Sequence, residues 1–271
     1  MTKFFSILLS ATALASMLTS ANAAPVMPDF ADVPTGWITD RYEPDSFTNV
    51  GNYQGRDDVL RISIDDSDGY GSRPGHNTTF YNTQGRQHAI SGGAGSVLSA
   101  DLFIPSSWGD VSNGHVRTDM WGVMTDGSPP VTGYPIIGFT NYGGVPRLRA
   151  WEDDAGVWAD LLTPIDYDNW TAFAIEFTGT SYEYSVNGSL VYTDITANGS
   201  TGFSAVIMQA YNFCGDPALS GAVCRDYTAH WSNTVASAAV PEPGTISLIG
   251  AGLMGLGLLR RKKQAATLCS S

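Results

Sequence analysis

The chain has 271 residues, of which 43% are hydrophobic and 15% charged, with 14 Lys and Arg against 26 Asp and Glu. Five of the cations lie at the two ends, so residues 24–239 hold nine arginines against 25 carboxylates, a net charge of −16. That balance argues against nucleic acid and anionic lipid as partners of the body and suits an exported soluble protein, calcium or a neutral glycan.

Lys3 precedes an apolar run from Phe4 to Leu18, and Ala21-Asn22-Ala23 forms a small-x-small cleavage site. Residues 1–23 therefore read as a secretory signal peptide handled by the Sec machinery. Residues 24–45, rich in Pro, Asp and Gly around Trp37, read as an extended N-terminal arm. Residues 46–236 read as one β-sandwich body, long enough for a substantial core.

Strand-like runs recur through this body: 59–64, 97–104, 116–124, 134–140, 146–152, 170–178, 181–186, 190–193, 203–213 and 225–232. Each is short, rich in β-branched or aromatic residues and bounded by Gly, Asn, Asp or Pro. No window between the two ends keeps a helical period, so the class is all-β and most simply a sandwich.

Alternation sorts the faces of these runs. Phe173, Ile175 and Phe177 share one side and Ala172, Ala174 and Glu176 the other. Arg117, Asp119, Trp121 and Val123 share a face, as do Arg147, Arg149 and Trp151. In the run from Phe203 to Tyr211, one parity is Phe203, Ala205, Ile207, Gln209 and Tyr211; both sides are apolar, which marks an interior strand.

Trp170 opens a strand, a Gly turn follows, and an aromatic strand ends in Val186-Asn187-Gly188 before a return strand to Thr193. Asn-Gly between alternating strands is a strong hairpin signal. The pattern resembles the laminin-G/concanavalin-like jelly roll, a fold that hosts lectins, hydrolases, lyases and adhesive modules alike.

Hydrolases of that fold carry acids on alternate residues of one strand, and this chain shows no such spacing. Asp119 and Glu176 are the candidates for a cross-strand catalytic pair, weighed against simple pairing of each acid with an arginine. Asp65, Asp66 and Asp68, followed by Gly69, read either as the start of a calcium loop or as an acidic turn. Structural calcium is what the resemblance implies; no other cofactor is expected. His76, His88, His115 and His230 lack metal spacing.

Seven tryptophans and twelve tyrosines offer platforms for sugar rings. Trp121, Arg147, Arg149, Trp151, Glu176, Gln209 and His230 would line one concave sheet if the parities hold. The competing reading places the tryptophans in the core. Cys214 and Cys224 flank a Gly-Asp-Pro and Ser-Gly turn in an exported segment, where a disulfide is the default.

The C-terminal segment has three parts in fixed order. Residues 237–243 end in Pro241-Glu242-Pro243, residues 244–259 carry no charge, and Arg260, Arg261, Lys262 and Lys263 follow without a gap. Sixteen helical residues reach about 24 Å, short of a hydrocarbon core of about 30 Å, and the cations orient residues 260–271 toward the cytoplasm. This order resembles the PEP-CTERM sorting signal, which implies recognition and cleavage by an exosortase, a membrane cysteine protease-transpeptidase. The whole chain thus reads as a jelly-roll body between a signal peptide and a transmembrane sorting helix. Its destination is the cell envelope, outer surface or extracellular matrix, with extracellular polysaccharide as the expected partner. A glycan-active enzyme and a purely structural biofilm component are the alternatives.

Overall fold

Short runs of alternating apolar residues, each too short to close a core alone, stack here as two antiparallel sheets. The computed structural model describes residues 24–233, apart from residue 129. The segments read as signal peptide, Pro-Glu-Pro step, sorting helix and basic tail lie outside the described residues.

One sheet runs, in spatial order, β13 (Ser189–Asp194), β12 (Tyr182–Val186), β11 (Asn169–Phe177), β6 (Ser96–Ile104), β15 (Tyr227–Ser232), β4 (Leu60–Ile64) and β3 (Ser46–Asn49), with β1 (Ala24–Pro25) added beside β6. The other runs β10 (Val157–Leu161), β9 (Arg147–Glu152), β8 (Ile136–Thr140), β7 (Arg117–Thr125), β14 (Gly202–Tyr211), β5 (Thr83–Gly92) and β2 (Trp37–Thr39). The fold is an all-β, jelly-roll-like sandwich. Among the described residues no helix is long and apolar enough to cross a membrane; the helical turns are short 3-10 segments.

The core lies between the sheets. Phe173, Ile175 and Phe177 of β11 meet Met120 of β7, Phe139 of β8 and Met208 of β14 in one buried cluster, with Trp108 and Trp231 also fully enclosed. As the apolar parity of both sides requires, β14 is an interior strand, between β7 and β5. The Asn187-Gly188 turn joins β12 to β13, and both residues take positive φ (49° and 75°), as a type I′ turn demands.

Three expectations change. The segment read as an extended arm is woven into both sheets through β1 and β2, and Phe30 and Trp37 enter the core. Strand β5 was not legible as a strand, because it is polar (Thr-Gln-Gly-Arg-Gln-His) and takes its conformation from pairing with β14. Phe203 does not share the face of Ile207 and Gln209. Against β7, a register shift between Phe203 and Ala205 inserts one residue, Ser204, and Phe203 returns to the core beside Val206.

Cys214 and Cys224 are disulfide-bonded. Closing a loop of this length stabilises by about 2–3 kcal/mol through the unfolded chain. Cys224→Ser should therefore lower the stability measured by urea unfolding by about that amount; an unchanged midpoint would show that the loop is held by its hydrogen bonds alone.

Candidate functional site

Because neighbouring strands are in register, residues of like parity form lateral rows across the outer face of the seven-stranded sheet. One row runs Gln87, Ile207, Trp121, Ile136, Trp151 and Trp158, from β5 through β14, β7, β8 and β9 to β10. It is mostly apolar and forms a second cluster, with Trp121, Val123, Ile136 and Ile207 buried and Tyr134, Trp151 and Trp158 partly buried. The adjacent row, on the same strands, is Gly85, Gln209, Asp119, Gly138, Arg149 and Asp160. It is polar, yet its centre is closed to solvent.

Asp119 is 0% exposed. Its Oδ2 accepts from Arg117 Nε at 2.6 Å and from Gln209 Nε2 at 2.5 Å, and Arg149 Nη2 lies 3.9 Å away. Gly138 makes the packing possible: a Cβ there would collide with the Thr118 carbonyl and Asp119 Oδ1. The Arg149 guanidinium lies 3.6 Å over the Trp158 ring, with Arg117 5.0 Å over the same ring. Burial, aided by the Arg117 charge, pushes Arg149 down to about 9, and Asp119 opposes the shift. Arg149 Nε and Nη2, Gln209 Oε1, Asp119 Oδ1 and Trp121 Nε1 are buried without a hydrogen-bond partner.

A groove of about 340 Å³ opens over these rows. Arg117, Trp121, Ile136, Trp151 and Trp158 line it together with Tyr134, and Arg41, Phe80 and Thr83 complete it. The Arg41 guanidinium stacks 4.6 Å from the Trp121 ring and 4.9 Å from Phe80. Its Nη1 donates to Asp40 Oδ2 at 2.7 Å, and burial raises the Asp40 carboxyl against the pull of that cation.

The structure brings Trp121, Arg149, Trp151 and Gln209 together with Asp119. Arg147 is on the same face but is tied to Asp160 at 2.7 Å and to the Tyr142 and Val145 carbonyls. Glu176 and His230 depart from the expected single groove. They sit on β11 and β15 of the other sheet, on its outer face, because parity assigns a side within a sheet and says nothing of which sheet a strand joins. Asp119 and Glu176 accordingly share no sheet, and Glu176 stands opposite Glu183 of β12.

His230 stacks on Tyr53 with ring centroids 3.8 Å apart. Burial, with Arg61 adding repulsion, pushes its imidazole down to about 4. The folded protein thus holds it neutral while the unfolded chain protonates near 6.5. Stability from this group is complete above pH 6.5 and is lost as pH falls toward 4. His230→Phe keeps a ring against Tyr53, so its melting temperature should fall less than wild type between pH 7 and 4.5. Parallel curves would overturn that assignment.

The acids at the end of β4 also rearrange. Carboxylate oxygens of Asp65, Asp66 and Asp226 lie within 4.8 Å of one another, while Asp68 accepts from the Tyr42 hydroxyl at 3.2 Å. Asp65 and Asp226 already accept backbone N–H groups, from Ser67 at 2.8 Å and Asp66 at 2.7 Å. These bonds shape the turn.

Seven groove residues escaped the sequence-based site: Arg41, Phe80, Thr83, Arg117, Tyr134, Ile136 and Trp158. Trp158 had a usable signal, a Val-Trp-Ala-Asp-Leu run after the Asp-Asp-Ala-Gly turn that follows β9. Arg41 and Phe80 come from outside the strands and had none.

The fold and its terminus define a class: an exported jelly-roll-like sandwich carrying a sorting signal. Residues 239–262 match the PEP-CTERM protein-sorting motif, which marks the protein for the cell envelope and for processing by exosortase. None of the curated proteins matches the chain. Among solved structures it is similar to a Bacillus licheniformis β-glucanase at 16% identity and TM-score 0.46, covering 77% of this chain and 96% of that one. A prokaryotic β-1,3-1,4-glucanase (lichenase) from a mouse hindgut metagenome shows 14% identity, TM-score 0.42 and coverage of 75% and 95%. A carbohydrate-binding module from Bacillus subtilis shows 15% identity, TM-score 0.35 and coverage of 65% and 91%.

Proposed function

We propose that the body is a non-enzymatic glycan-binding module of the envelope or extracellular matrix, with the groove of the seven-stranded sheet as its binding site. The observation that carries this reading is the pair of partly exposed rings, Trp151 and Trp158, beside guanidinium groups in one open groove, with Trp121 buried beneath Arg41. Aromatic faces stack on sugar rings, and guanidinium donors fork to oxygens. Glycosidase chemistry, by contrast, uses two carboxylates about 5–9.5 Å apart with a free role each. Here Asp119 is buried under arginines and Gln209, and Asp160 of the same row is held by Arg147.

The test is a panel of extracellular polysaccharides and derived oligosaccharides offered to the full chain, followed by isothermal titration and by assay for new reducing or unsaturated ends. Saturable binding without product release is expected. Product release would replace the proposal with a glycan-active enzyme. Binding to no glycan would leave a structural matrix component.

A further inference from the structure

The net charge of the body, −16 over residues 24–239, favours a neutral glycan. The groove has the opposite local balance. Arg41 and Arg117 line it and Arg149 lies buried against Trp158, one of its walls, so three guanidinium groups stand against two carboxylates, Asp40 and Asp119. Arg147 and Asp160 cancel each other at its margin. One positive charge is left over, and two buried nitrogens of Arg149 have no hydrogen-bond partner, Asp119 lying 3.9 Å from Nη2. An uncompensated charge away from water is costly, and an arriving anion relieves that cost.

Donors remain to receive it. Arg117 spends Nε on Asp119, and Arg41 spends Nη1 on Asp40; both residues line the groove. A guanidinium edge offers two parallel N–H groups, the spacing that an oxyanion accepts in a bidentate contact. The Trp151 and Trp158 rings stand beside them for the body of a sugar.

We infer that the groove selects an anionic sugar residue, bearing a uronate carboxylate or a sulfate ester, with Arg41 and Arg117 as its specificity-determining residues. The inference rests on the glycan-binding reading and narrows it. Because the rest of the body repels anions, the preference acts at contact distance and is read best with short oligosaccharides, which carry few charges past the groove.

The experiment titrates the full chain, in a detergent without a sugar headgroup, with four oligosaccharides of equal length: a uronate, its methyl ester, a neutral one and a sulfated one. The uronate or the sulfated sugar should bind at least about tenfold tighter than the ester and the neutral sugar, the scale of a charge-assisted hydrogen bond. Whichever of the two binds names the anion. Arg41→Gln lies outside the Asp119 network, and its fold is checked by thermal melting. It should reduce the preference by about tenfold. Equal binding of acid and ester, or an unchanged preference in Arg41→Gln, overturns the anion assignment and leaves the glycan-binding reading standing. No binding of any of the four removes both.

Discussion

Replacing Asp119 with alanine is expected to destabilise the body by about 3–5 kcal/mol, the cost of removing one partner from a buried charge network. Asp119 has no solvent exposure and accepts from Arg117 and Gln209 while facing Arg149. Without it, Arg117 loses its ion-pair partner, Arg149 keeps a charge under Trp158 opposed only by Asp160, which Arg147 holds, and the Gln209 amide loses its acceptor. A domain of this size loses about 2–4 °C of melting temperature per kcal/mol, so the fall should be about 6–20 °C by calorimetry. The double replacement Asp119→Leu with Arg117→Met removes the hydrogen-bonded ion pair and should recover part of the loss, since apolar side chains often match a buried ion pair in stability, while Arg149 and Gln209 still lack the carboxylate. A single variant within about 1 kcal/mol of wild type, the worth of an exposed pair, would show that water reaches this network and that its burial has no energetic meaning.

The second large effect concerns binding. Trp158→Ala should weaken glycan binding by about 30-fold, the roughly 2 kcal/mol typical of a tryptophan that anchors an interface. Trp158 contributes twice: its ring lines the groove, and it covers the Arg149 and Arg117 guanidinium groups. Trp158→Phe retains a smaller ring over Arg149 and should fall between the two. Because Trp158 is only partly buried, its replacement should cost less stability than that of Asp119. Full-strength binding by Trp158→Ala would move the ligand off this face.

Strand parity was written in local sequence. Arg117, Asp119 and Trp121 on one side of β7, and Arg147, Arg149 and Trp151 on one side of β9, follow from a period of two that any extended segment obeys. The hairpin at Asn187-Gly188 was legible for a similar reason, since few residues accept its backbone angles. The Phe203 face was not, because a bulge is set by the partner strands β7 and β5. Strand β5 was hidden because its residues carry no apolar alternation, and its conformation comes from hydrogen bonds to β14 and β2.

By itself, the sequence determined three things about this protein: its all-β class, its sorting signal, and the side of each clear strand on which a residue stands. Each depends on residues a few positions apart, through alternation, turn chemistry and the order of apolar and basic segments. Only the tertiary structure decided that Trp121, Arg149, Trp151 and Gln209 share a sheet while Glu176 and His230 belong to its partner sheet. It alone brought Arg41 and Phe80 over Trp121 and closed Asp119 beneath the arginines. Sheet membership and register come from hydrogen bonds between segments tens of residues apart, and no local period carries that pairing.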